Sequence, residues 1–171
     1  MWFLLVTRVG AGTGDPRVLA ELAQIFLRAV IASNRVTIRE ARRRGKPLPP
    51  LYQTSVRFRP EPWAGKVEEF ADVLTVYARG WGDCDDLVGI RCAELQEDGV
   101  GADVRLYWRY WRRLDDGKKV RVPEAEVMPY LAKYGRLPKG VKATMHAELR
   151  HPPDHQHPKG RIEDPSRFLG M

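Results

Sequence analysis

The sequence predicts an α+β protein, and three observations carry that reading. Residues 16 to 44 and 84 to 98 place apolar side chains at helical spacing, the 3.6-residue period of a helix with a buried stripe. Residues 102 to 113 and 141 to 149 alternate in twos instead, the period of a strand with one covered face. Asp116-Gly117 follows the first of these strands and leads into Lys118-Lys119-Val120-Arg121-Val122. That dipeptide is a hairpin signal, so the strands pair antiparallel.

Taken in order, Met1-Trp2-Phe3-Leu4-Leu5-Val6 lacks a basic n-region and is too short for a signal h-region or a membrane span, so it reads as a buried strand in a chain without a signal peptide. Asp15-Pro16 supplies an N-cap and a proline at the first helical position, followed by Val18, Leu22, Ile25, Phe26 and Ala29 at helical spacing. This helix runs through the basic segment Arg35 to Arg44 and stops at Gly45-Lys46-Pro47, and Leu48-Pro49-Pro50 is a stiff connector. Residues 1–50 are therefore expected to be an N-terminal strand and basic helical extension, and 51–171 the main domain. Within the latter a strand is expected at about 51 to 58, a short helix at 66 to 78, and a helix from Cys84 to about 98, ended by Gly99-Val100-Gly101. In the strand after it, Val104, Leu106, Trp108 and Tyr110 share one face and Arg105, Tyr107, Arg109 and Trp111 the other. Residues 123 to 134 form a helix from Pro123 with Val127, Tyr130, Leu131 and Tyr134 on one side; Val141, Ala143, Met145, Ala147 and Leu149 then oppose Lys142, Thr144, His146, Glu148 and Arg150 across a strand.

The chain has 171 residues, 43% of them apolar, enough for one domain with a real core rather than a disordered tract. Its net charge of +7 permits nucleic acid, an anionic envelope polymer or an acidic protein as partner. The two cysteines, Cys84 and Cys92, lie eight residues apart on one helix, roughly 12 Å at 1.5 Å per residue, beyond disulfide reach. Both thiols are expected to be free, which fits a reducing compartment. Cys92 shares a face with Leu87, Val88 and Leu95 and reads as core filler.

Cys84 is different, because Gly82-Asp83 puts it in the first turn of its helix, where unpaired N–H groups and the macrodipole favour a thiolate. His146 is the candidate base and Asp164 the candidate residue that orients it. The segment His151 to Lys159 is a loop, and Gly160-Arg161-Ile162-Glu163-Asp164 a return strand. A hairpin symmetric about residue 155 sets 146 opposite 164, with Cβ atoms about 5 Å apart on one sheet face.

These residues resemble a family. Gly82-Asp83-Cys84-Asp85-Asp86-Leu87-Val88, with Ala93-Glu94-Leu95, Gly99-Val100, Ala102 and Val104-Arg105, is similar to the nucleophile helix and following strand of transglutaminase-like, papain-fold cysteine proteins. Met145-His146-Ala147-Glu148-Leu149 resembles the His strand of that family and Gly160 to Ser166 its Asp strand, and the ending Ser166-Arg167-Phe168-Leu169-Gly170-Met171 looks like the tailed-phage and prophage version. The resemblance, over about 82 to 171, implies a papain-like core with the nucleophile helix packed on an antiparallel sheet. It implies a Cys84, His146, Asp164 triad in a thiol-dependent amide hydrolase or acyl-transferase without a cofactor, with the Cys84 N–H as one oxyanion donor and Gln53 or Trp81 as candidates for the second. The implied setting is the host cytoplasm or the virion, and the implied substrate a protein or peptide amide, from a virion protein or a host envelope component.

Other readings of the same residues remain. One is a catalytically inactive version of the fold with a structural or binding role in the virion. A metal could be held by His151, Asp154, His155 and His157, although three prolines among them indicate a solvated loop; calcium at Asp83, Asp85 and Asp86 is disfavoured because a helix would spread those side chains. Nucleic acid could be bound by Trp108-Arg109-Tyr110-Trp111-Arg112-Arg113 and Arg42-Arg43-Arg44, but alternation sends Trp108 and Tyr110 inward.

Overall fold

The computed structural model describes residues 4–7, 16–60 and 68–171. Over these it is α+β, with five α-helices and a four-stranded antiparallel sheet at its centre. Strand β1 (Leu4–Thr7) precedes helix α1 (Pro16–Arg43); β2 (Arg57–Phe58), β3 (Glu68–Ala71), α2 (Val73–Arg79) and β4 (Trp81–Gly82) follow. Helix α3 (Cys84–Glu97) leads into β5 (Asp103–Arg113), β6 (Lys119–Val122), α4 (Glu124–Tyr134), β7 (Val141–His151), β8 (Arg161–Glu163) and the single turn α5 (Pro165–Phe168). The main sheet has the order β6-β5-β7-β8, and the two small sheets pair β1 with β3 and β2 with β4. The N-cap expected at Asp15 and the start of the first strand, Met1 to Phe3, lie outside the described residues.

Helix α3 is the centre of the molecule. One side of it joins a cluster with Leu27, Val30 and Ile31 of α1 and Val104, Leu106, Ala147 and Leu149 of the sheet. Its other side, through Leu87 and Ile90, joins Leu51, Val56, Ala71, Val73, Val76 and Leu169. Burial on both flanks explains why α3 carries apolar residues nearly all round. Gly89 sets its distance from α1, since a Cβ there would lie 3.2 Å from Leu27 Cδ1. A third cluster, Tyr110, Val122, Val127 and Val141, lies where α4 covers the far end of the sheet.

Three expectations are corrected. Over 51 to 58 the chain makes a 3-10 turn at Leu51–Gln53 and only the two-residue strand β2, which pairs parallel with β4. The Glu94 carboxylate, reaching from α3, accepts from the Leu51 N–H at 2.6 Å and satisfies a buried donor that a ladder would otherwise take. Within 66 to 78 a strand, β3, precedes the helix. Asp72 separates the two as N-cap, accepting from Thr75 N at 2.8 Å. On α1 the stripe Val18, Leu22, Ile25 faces outward, 52%, 46% and 62% exposed, and the buried face is Ala23, Leu27, Val30, Ile31, Asn34 and Ile38. The helix carries two apolar stripes, and spacing alone does not say which one meets the core.

Helix α1 is also a wall of the core rather than an appendage to it. Gln24 donates to Val104 O and accepts from Leu106 N, both at 3.0 Å, closing the part of the β5 edge that β6 does not reach. Between β7 and β8, Gly160 has φ +78°, and a Cβ there would lie 2.5 Å from His151 O, so the loop demands glycine. No helix among the described residues is long and apolar enough to cross a membrane.

Candidate functional site

Cys84 occupies the first helical position of α3, with Asp83 as N-cap. Asp83 accepts from Asp86 N and Asp86 from Asp83 N, a reciprocal capping box. Asp86 also accepts from Ala71 N at 2.7 Å and from the Arg79 guanidinium, which donates in addition to Glu69 at 2.7 Å and Trp81 O at 2.8 Å and lies 3.8 Å from the Trp81 ring centre. The acidic residues around the cysteine thus tie β3, α2, β4 and α3 together. Burial pushes the Asp83 carboxyl above its ordinary value, and burial with the neighbouring Asp83 charge pushes Asp86 well above it.

Carboxylate oxygens of Asp83, Asp85 and Asp86 lie within 4.8 Å of one another, which corrects the expectation that a helix would spread them. Asp83 is the extended N-cap, not a helical residue, so its side chain folds back over the first turn. Arg79 already places a positive charge there.

The Cys84 thiol is half-buried, 3.9 Å from Asp85 Oδ1, and packs on the same apolar cluster as Met145 and Ala147, which alternate with His146 along β7 and face the other side of that strand; no hydrogen bond joins Cys84 to His146. Cys92 is fully buried, its thiol pushed up to about 12, chiefly by burial. The two thiols therefore differ in access in the direction the sequence indicates.

His146 and Asp164 do meet, with Nε2 2.9 Å from Oδ2. The route is not the one the symmetric hairpin gives. β7 and β8 pair Leu149 with Glu163 and Arg150 with Ile162, a register two residues away from a 146–164 pair. A shift of two preserves the face, so the bond forms along the diagonal. Asp164 is held as N-cap of α5, its Oδ1 accepting from Ser166 Oγ at 2.5 Å and from Arg167 N at 3.4 Å. Burial alone would raise the Asp164 carboxyl, but the Ser166 and His146 hydrogen bonds outweigh it and hold the group below its ordinary value. Burial likewise holds His146 below its ordinary value against the opposing pull of Asp164. Tyr107 presents an edge-on ring with its centre 5.7 Å from that of the imidazole, fixing its tilt.

Beside this pair runs a groove of about 890 Å³ whose walls include Arg91, Arg109, Arg121, Arg161 and Arg167 against Glu148, Glu163 and Asp164. Sequence reasoning missed its hub. Glu163 accepts from Tyr52 OH at 2.5 Å and Arg91 Nε at 3.1 Å and pairs with His151 Nε2 at 2.6 Å. Burial works to raise Glu163, but those donors hold it below its ordinary value. The available signal was its position: Glu163 precedes Asp164 on the return strand and must face the other way.

The remaining candidates fall elsewhere. His151 pairs with Glu163, while half-buried His157 lies 3.1 Å from Asp154, whose carboxylate also accepts from Gln156 N and His157 N and so orders the loop. Gln53 is exposed at the end of its 3-10 turn, and Trp81 lies under the Arg79 guanidinium. Tyr110 is buried and Trp108 packs on the third cluster, as alternation requires. In the basic tract Arg35 and Arg39 bond Glu97, Arg42 bonds Asp98, and Arg43 and Arg44 bond Glu40. No family model, curated protein or solved structure matches the chain.

Proposed function

We propose that the protein is a thiol-dependent amide hydrolase or acyl-transferase of papain-like, transglutaminase-like type, with Cys84 as nucleophile, His146 as base and acid, and Asp164 as the residue that orients the imidazole. The observation that carries this reading is the His146–Asp164 hydrogen bond, made by a carboxylate held ionised by Ser166 and by an imidazole held neutral by burial. An imidazole engaged through Nε2 has Nδ1 left for the thiol.

In the proposed reaction the Cys84 proton passes to His146 Nδ1 as sulfur bonds the amide carbon. The tetrahedral oxyanion collapses with cleavage of the C–N bond, and His146 returns the proton to the departing amine. The thioester is then opened by water, giving a carboxylic acid, or by an acceptor amine, giving a new amide, and the thiol is restored. The Cys84 N–H, at a helix start, is one donor to the oxyanion. The arginine-rich groove favours a peptide with acidic side chains near the scissile amide, and the phage-like ending of the chain directs the proposal to a virion or envelope protein.

The test pairs reactivity with turnover. Brief iodoacetamide treatment of the folded protein should label Cys84 ahead of Cys92, and an acidic reporter peptide should be cleaved, or joined to a fluorescent amine, by the parent but not by Cys84→Ala. Equal labelling of the two thiols, or turnover that survives Cys84→Ala, overturns the proposal. Labelling of Cys84 with no coupling to His146 would favour the inactive binding module instead.

A further inference from the structure

The outward stripe on α1 is too regular to be scattered surface apolarity. Four of the ten exposed large apolar side chains among the described residues lie on it: Val18, Leu22, Ile25 and Val36. Ala29 and Ala32, both exposed, fill the intervals, so the six positions advance by four, three, four, three and four residues. That is the a/d spacing of a two-helix seam. At about 100° per residue the stripe is centred about 170° from the buried face of α1. The core-facing side chains are on the far side of the helix, and the seam points away from the body of the protein.

We propose that this seam pairs with the same seam of a second copy, antiparallel, about a twofold axis at the level of residue 27. In that register Ile25 meets Ala29 of the other copy, Leu22 meets Ala32, and Val18 meets Val36. Each large side chain faces a small one or an equal one, so the six layers have near-uniform volume and the backbones approach closely. A parallel pairing would stack Ile25 on Ile25 and Ala29 on Ala29, alternating crowded and hollow layers. Charge agrees with the antiparallel choice. Exposed Glu21, flanking the seam, falls opposite Arg35 of the other copy twice about the axis; Arg35 bonds Glu97 through Nε at 2.8 Å, and its side chain remains 39% exposed toward that flank. Arg28 faces its own copy near the axis, with its charge engaged by Asp103 at 3.2 Å. Beyond Val36 the next seam position is Arg39, which is committed to Glu97 and ends the apolar run. Such a contact is self-complementary and closes at two copies. As a single helix pair it is small, so association is expected in the micromolar range.

Sedimentation velocity of the full chain over a concentration series should show a monomer-dimer equilibrium. Ile25→Glu, and independently Ala29→Glu, should weaken it by at least about tenfold by placing a charge in an apolar layer; both positions are exposed, so the melting temperature should not move at concentrations where the parent is monomeric. A mixture of Val18→Cys and Val36→Cys chains, oxidised and digested, should give the 18–36 cross-link and neither self-link. Three results overturn the proposal: a parent that stays monomeric at every concentration, a dimer indifferent to both glutamates, or an 18–18 link. A monomer whose stripe is protected from amide exchange would also overturn it, by showing that the chain covers the seam itself.

Discussion

The two carboxylate sites of this protein lie at opposite ends of the proposed chemistry and behave in opposite ways. Asp86, at the start of α3, has a side chain with no solvent exposure, accepts from Ala71 N, Asp83 N and Arg79, and still titrates well above its ordinary value. Asp164, 15% exposed, accepts from Ser166 and Arg167 N, pairs with His146, and titrates below its ordinary value. Both are well supplied with donors, so donors alone do not set the sign. Depth of burial does, together with the like charge that Asp83 places beside Asp86 and that Asp164 does not face. The first site is a structural clasp; the second is a low-titrating carboxylate bonded to His146, which the proposed chemistry uses to orient the imidazole.

The comparison would be broken by variants that exchange these roles. His146→Ala should lower Cys84-dependent turnover by about 10²- to 10⁴-fold, the usual contribution of a positioned acid-base group, and the conservative His146→Gln should not rescue it. Equal turnover in parent and variant would remove His146 from the mechanism. Asp86→Ala should act on stability instead, by about 3–5 kcal/mol, because it leaves the Arg79 charge without that partner and the buried Ala71 N–H without its acceptor. Urea denaturation of the folded variant measures this. A loss under about 1 kcal/mol, the value of an exposed ion pair, would mean that the clasp does not hold the fold.

Much of the second site could be read in the chain, and much of the first could not. Alternation in β7, the turn-rich loop and Asp164-Pro165 were enough to bring His146 and Asp164 to one face, and the two-residue error in register was harmless because strand faces repeat in twos. The α3 start was legible as Asp83 and Cys84, since capping is a local property. What escaped was non-local. Glu94 satisfying Leu51 N and Asp86 satisfying Ala71 N turn two expected elements into others, and no period within residues 51 to 78 carries that information. The inward face of α1 escaped for a related reason: two apolar stripes on one helix are equivalent until a partner chooses between them.

The pH dependence of stability sharpens the same contrast. An unfolded histidine titrates near 6.5, and burial holds folded His146 lower. The folded state therefore binds fewer protons between the two values. The contribution of His146 is fully present above about pH 6.5 and is lost as pH falls through the folded value. Asp83 and Asp86 have the opposite sign, because their folded values are raised: their contribution is present at acid pH and lost as pH rises through those values. Urea midpoints from pH 7 downward should thus fall less steeply below 6.5 for His146→Gln than for the parent, while Asp86→Asn should leave that limb in place. Parallel curves for parent and His146→Gln would show that the imidazole is not held neutral by the fold.

Ser166 offers the finest test, since it touches Asp164 and not the imidazole. Its hydroxyl, fully buried, donates to Asp164 Oδ1 at 2.5 Å, while Oδ2 faces His146. Ser166→Ala removes a donor that lowers the Asp164 carboxyl but keeps the bond to His146, so Ser166 is a positioning residue. The expected loss in rate is about fivefold at neutral pH, equivalent to about 1 kcal/mol for one hydrogen bond. The Asp164 titration should move up toward its ordinary value, so the acid limb of the pH-rate profile should shift upward in Ser166→Ala. A purely structural role would lower the melting temperature and leave that limb where it is. Asp164→Asn should exceed the Ser166→Ala effect on rate, because it removes the charge itself and leaves the amide free to present the wrong group to Nε2. If the two variants lose rate equally, orientation of the carboxylate rather than its charge governs the imidazole. If Ser166→Ala changes neither rate nor limb, the position of Asp164 is fixed by α5 and β8 without help from the hydroxyl.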